Sequence, residues 1–218
     1  MLQQDVLMRQ AQQAAQAIAE ILMLRQDGQL QEALEVAEGA LHLHFEVDPE
    51  ELHTYSYEHL TERFAFERDE HADRALSFSD LLRHLGELRH GHGQPERAHH
   101  PLRLALRLEL GLAERRLLGP DPAGRLRTLL RYLPPSEVPE AAFPALIDFF
   151  AREHEFARAE NWLFHWLNHT DNESVIREKG AAFYDRLTEH SDEELAAGGL
   201  PRPEVTEGLR AFEERVAT

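Results

Sequence analysis

Apolar residues recur along this chain at helical spacing, in runs closed by Gly and Pro. The clearest run spans Leu82 to Leu108, LRHLGELRHGHGQPERAHHPLRLALRL, two amphipathic halves joined across Gly91-His92-Gly93-Gln94-Pro95. Leu82 and Leu85 precede the break, and Ala98, Leu102 and Ala105 follow it on one helical face. The pattern predicts an antiparallel helical hairpin, whose apolar stripes need neighbours to cover them.

The same spacing predicts helices on both sides. Residues 3–26 carry Leu7, Ala11, Ala14, Ile18 and Ile21 as a stripe, widened by Met8, Ala15 and Leu22, and Gly28 closes the helix. This helix is longer than a hairpin partner needs, so its surplus N-terminal turns either pair with another subunit as a coiled-coil homodimer or pack on their own domain. A second helix, residues 30–44, buries Ala33, Leu34, Ala37, Ala40 and Leu41. Residues 51–74 read as a third, with Leu52, Tyr55, Leu60, Phe64 and Phe66 as its apolar set, and Ser79 or Asp80 as a cap for the helix entering the hairpin.

Beyond the hairpin, Gly119-Pro-Asp-Pro-Ala-Gly124 reads as a loop and as the seam between residues 1–118 and an aromatic-rich portion, 119–218, packed as one continuous unit. Further helices are expected over 125–132, from Ser136 through FPALIDFF, and over 155–168, 173–190 and 204–216. Ser191-Asp-Glu-Glu194 fits a capping box. Residues 143–184 hold nine of the 17 aromatics, so the densest packing of this portion is expected there. Alternating apolar runs bounded by hairpin turns are missing, and the fold class is all-α.

At 218 residues the chain can bury a core unaided, and with no Cys it has neither disulfides nor thiolate chemistry. Its net charge of −17 is uneven: residues 81–131 hold 10 bases against 5 acids, and both flanks are acidic. The acidic majority weighs against nucleic-acid partners and anionic membranes. The basic middle either meets an acidic partner or packs against the chain's own acids. No apolar run reaches the roughly 20 residues that span a bilayer, and the opening residues, with Asp5 ahead of any cation, do not read as a signal peptide, so a cytoplasmic protein is expected.

Leu82, Leu85 and Gly86, the turn glycine Gly93, and Ala98, Leu102 and Ala105 together resemble a tetratricopeptide repeat, a helix–turn–helix unit of about 34 residues. Arg89 stands where that family prefers an aromatic, and the closing Pro is missing. A weaker copy places Gly28, Leu30, Ala33, Ala37 and Ala40 at the turn and second helix, with Glu20 and Ile21 at the Leu-Gly positions and Pro49 arriving late. A third begins near Phe143, with Leu146, Phe150, Phe156, Ala159 and Leu163 in place and Ile147 and Trp166 replacing small residues. The copies are offset by 65 and 61 residues, close to two repeat lengths, which leaves room for a degenerate unit between each pair. The resemblance implies antiparallel hairpins stacked in a degenerate right-handed arrangement. It further implies a groove to which Arg83, His84, Glu87 and His90 are presented, and a partner that is another protein or peptide, or a second copy. The opening LQQDVLMR and the closing GGLPRPEVTEGL are similar to an uncharacterised family of bacterial helical proteins.

No nucleophile elbow, phosphate-binding glycine loop or Ser/His/Asp signature is present, so a non-catalytic scaffold without a cofactor is expected. The alternative is a metal- or small-ligand-binding helical bundle, enzymatic in its stronger form. His90, His92, His99 and His100 crowd the hairpin turn and are the metal candidates, while His165 and His169, one helical turn apart, are a second pair.

Overall fold

A computed structural model describes residues 2–66, 68–170 and 173–216, with the side chains of 2–8, 70 and 173 excepted; Leu7 and Met8 of the first expected stripe lie outside it. Among the described residues the structure is helical and holds no strand. The chain divides into two compact units, residues 1–137 and 138–218, so the loop at 119–124 lies inside the first.

The first unit holds α1 (Leu2–Gln26), α2 (Leu30–Phe45), α3 (Tyr57–Phe64), α4 (Ala72–Gly91), α5 (Pro95–Glu114) and α6 (Pro122–Leu130). Gly28, at φ +77°, ends α1 by letting Gln29 N–H reach the carbonyl of Leu24 at 2.8 Å. α1 and α2 pair, both pack directly on α4, α4 pairs with α5, and α6 packs on α5. The segment between α2 and α4 is therefore not interposed as a unit of its own; α3 packs on α5 instead.

That segment is also not one helix. Leu52–Thr54 is a single 3₁₀ turn, Ser56 caps α3 through the His59 N–H, and left-handed Ala65 (φ 51°) stops it. α4 begins at Ala72, so Ser79 and Asp80 lie within it and cap nothing. α6 starts three residues early because the Asp121 carboxylate accepts from Gly124 N–H at 2.8 Å, with Pro122 in the first turn.

The α4–α5 crossing is close. A Cβ on Gly86 would stand 2.5 Å from Leu102 Cγ and 3.1 Å from the Ala98 carbonyl oxygen, so only glycine fits there. Gly93 (φ +71°) makes the turn, and Pro95 opens α5 where no donor is needed. Phe45, Phe64, Phe66 and Phe78 meet with ring centroids 4.7–6.0 Å apart, and the Arg74 guanidinium lies over Phe45 and Phe64.

The second unit holds α7 (Phe143–Arg152), α8 (Phe156–Leu167), α9 (Glu173–Thr188), α10 (Asp192–Ala197) and α11 (Arg202–Val216). The helix expected from Ser136 is replaced by 3₁₀ turns at Pro135–Glu137 and Glu140–Ala142, because Pro134, Pro135 and Pro139 fix φ and offer no N–H. α7 pairs with α8, and α9 packs on α7, α8 and α11. Phe143, Phe149, Phe150, Phe156, Trp162, Trp166, Phe183 and Tyr184 are all buried, as the aromatic density predicts.

Candidate functional site

The residues singled out on the Leu82–Leu108 hairpin come together in a polar seam on α4. On its α1 side, Arg25 Nη1 donates to Glu87 Oε2 at 2.5 Å and lies 3.0 Å from His84 Nδ1. Within α4, Arg83 donates to Glu87 at 3.1 Å and to Asp80 at 2.8 Å. Toward α6, Arg125 donates to Asp80 and to Glu109 of α5, both at 2.9 Å, and Ser79 Oγ donates to Glu109 at 3.2 Å. Three arginines, three carboxylates and one histidine thus tie four helices together.

The seam is largely withdrawn from water. Glu109 is fully buried, and the side chains of His84 and Glu87 are each 3% exposed. Burial alone would raise the Glu87 pKa, but His84, Arg83 and Arg25 outweigh it and hold the carboxyl at about 2. At Glu109 burial wins over Arg125 and Arg83, and its pKa is raised. Asp80, Glu87 and Glu109 balance the charge of Arg25, Arg83 and Arg125, so the seam calls for no charged ligand.

His84 and Glu87 are therefore committed inside the unit, and Arg83 is mostly buried between Asp80 and Glu87; these three are not laid out on an open groove. His90 is exposed, with its ring edge-on to Tyr132 at 5.5 Å. Sequence reasoning missed Arg25, Glu109 and Arg125, whose only signal is a charge on an otherwise amphipathic helix. It also missed the part played by Arg89. That side chain is buried, donating to Glu38 at 2.9 Å and to the Pro49 carbonyl at 3.4 Å.

The four hairpin histidines do not converge. His92 Nδ1 meets the Leu88 carbonyl at 2.8 Å, His100 Nε2 the Tyr55 carbonyl at 3.1 Å, and His99 faces Glu137 at 3.5 Å. His169 turns its Nδ1 back onto the His165 carbonyl at 2.6 Å. The basic middle meets the chain's own acids: Arg97 pairs with Glu50, Arg103 with Glu137, Arg107 with Glu58 and Arg115 with Asp69. Such exposed pairs contribute about 0–1 kcal/mol each, but together they neutralise the patch.

Among the described residues, one edge of α1 also stays open, as does Leu43 on α2. Between Arg9 and Gln26 the buried positions are Ala14 and Ile21, whereas Ala15, Ala19, Leu22 and Met23 are exposed, Leu22 by 43% and Met23 by 64%. On a 3.6-residue period these four positions form a second apolar stripe beside the one that faces the unit's core. The ten residues Gln10–Ala19 carry no charge at all.

A family model described as a family of unknown function, DUF6483, matches residues 1–217, and the chain belongs to that family. No curated protein and no solved structure matches it. Among the described residues no helix is long and apolar enough to cross a membrane.

Proposed function

We propose that the protein is a non-catalytic helical scaffold that works through protein–protein contact, and that α1 joins it to a second copy of itself. The direct packing of both α1 and α2 on α4 supports a repeat-like succession of antiparallel hairpins, in the manner of tetratricopeptide units, with the seam as its internal tie. The observation that carries the reading is the exposed stripe of Ala15, Ala19, Leu22 and Met23 on a 25-residue helix. A chain of net charge −17 repels its own copies, and an uncharged run such as Gln10–Ala19 is where two copies approach at least electrostatic cost. Ala15 and Ala19 lie in that run, and Leu22 and Met23, about one turn further on, supply most of the attraction.

Sedimentation velocity over a concentration series tests this. The wild-type chain dimerises, and Leu22→Glu with Met23→Glu, both at exposed positions that the fold does not need, returns it to the monomer. A wild-type monomer at all concentrations, or a dimer indifferent to the two glutamates, overturns the reading.

A further inference from the structure

In the second unit, a separate observation carries an inference that goes beyond the scaffold reading. We infer that His154, His190 and Glu194 form a binding site for a divalent transition-metal ion of the zinc type. Their potential ligand atoms all lie within 4.8 Å of one another. Ligands about 2.1 Å from one zinc ion stand about 3.4 Å apart in a tetrahedral site, and His190 Nδ1 already lies 3.7 Å from Glu194 Oε2. His154 and Glu194 are exposed and His190 half-buried, so small side-chain rotations close the remaining gap.

Two segments remote in sequence deliver the ligands: the turn after α7 supplies His154, and the α9–α10 junction supplies His190 and Glu194. His154 sits just beyond α7 in the left-handed region, φ 57°, where Glu155 N–H closes the helix on the Phe150 carbonyl at 2.8 Å. His190 follows α9; its ring lies 4.7 Å from Phe156 and 5.3 Å from His154, and its carbonyl accepts from Arg202 Nη2. Glu194 belongs to the first turn of α10, where its Oε2 accepts from the Ser191 N–H and Oγ, both at 2.9 Å. Hydrogen bonds to a ligating carboxylate help fix its position.

The donor set selects the ion. Two imidazoles and one carboxylate suit Zn²⁺ and its neighbours in the first transition row; Ca²⁺ and Mg²⁺ take oxygen ligands, and Cu(I) prefers sulfur. Three protein ligands leave a fourth position free. His154 also forms part of the wall of a cleft of about 710 Å³, together with Arg158, Asn161, His165 and Gly198, with room for water or a small anion beside the ion. Without a metal the same three groups form only an edge-on ring pair and a loose His–Glu contact, so binding decides between the two.

The test is calorimetric titration of Zn²⁺ into the full chain, purified without a histidine tag and stripped with a chelator. One ion binds per chain. His154→Asn keeps the left-handed backbone, His190→Phe keeps the ring on Phe156, and each weakens binding about tenfold or more, as does Glu194→Gln. His99→Ala and His169→Ala leave it unchanged. Absence of a stoichiometric site overturns the assignment, and so does binding that survives His154→Asn and Glu194→Gln or that follows His99. Circular dichroism melting of each variant confirms that it is folded, and if His190→Phe fails there, the other two substitutions decide.

Discussion

Arg89 donates its Nη1 to the carbonyl of Arg97 at 3.4 Å, and that carbonyl is the one that Pro101 leaves without a helical donor. A proline inside α5 would otherwise strand a backbone acceptor next to the α4–α5 crossing. The guanidinium that meets it is nearly fully buried and also holds Glu38 of α2 and the Pro49 carbonyl. Arg89→Met keeps most of the packing and removes three hydrogen bonds, so it destabilises the chain by about 2–3 kcal/mol in urea unfolding. Pro101→Ala restores an N–H for the Arg97 carbonyl, and therefore helps the Arg89→Met variant more than the wild type. Equal effects of Pro101→Ala in both backgrounds would show that the Arg89–Arg97 contact carries no coupling.

Glu87 makes stability depend on acid. Its folded pKa of about 2 lies below the ordinary 4.5, so the unfolded chain binds more protons between those values. The contribution is fully present above about pH 4.5 and is lost as the pH falls toward 2. Glu87→Gln costs about 2–3 kcal/mol at pH 7, an order-of-magnitude figure, and that cost shrinks toward zero in acid. Urea titrations of both proteins at pH 7 and near pH 3 measure it; a cost independent of pH would mean that the ionised carboxylate adds nothing. Glu109, whose pKa is raised by burial, acts in the opposite sense: its ionisation opposes folding as the pH rises, so Glu109→Gln costs less at pH 7 than Glu87→Gln.

The crossing at Gly86 has a steric test. Gly86→Ala drives a methyl into Leu102 and against the Ala98 carbonyl, destabilising by about 1–3 kcal/mol despite the better helix propensity of alanine. With Leu102→Ala in place the methyl meets less resistance, and the double variant loses less than the two single losses combined. Strict additivity in thermal or urea unfolding would contradict the close approach.

Helical periodicity made most helices legible, along with the Gly28 and Gly93 turns and the Ser191–Glu194 capping box, because each of these is decided within a few residues. The segment at 51–74 was not legible, because left-handed Ala65 ends α3 and no local preference announces an alanine in that conformation. Ser79 looked like a cap because serine serves equally at a helix start and as a buried donor; only Glu109, from α5, decides between the two. Arg83, His84 and Glu87 read as a solvated face because charges at helical spacing normally are one. Their burial depends on Arg25 and Arg125, which arrive from α1 and α6. Proximity in sequence likewise misled for the histidines. Those at 90–100 sit together on a turn yet point to different partners, whereas His154, His190 and Glu194 meet only because the α7–α8 turn and the start of α10 fold against one another.

The scaffold reading stands on α1, and the chain's lack of cysteine permits a direct measurement of it. A nitroxide on Gln13→Cys, an exposed position of α1 off the apolar stripe, is then the single label per chain. In dipolar electron paramagnetic resonance of the full chain, the self-association proposed through α1 gives a defined intermolecular modulation. That modulation disappears when Leu22→Glu is added. A decay with no modulation at concentrations where sedimentation finds the wild type associated, or a modulation that Leu22→Glu leaves intact, would contradict it.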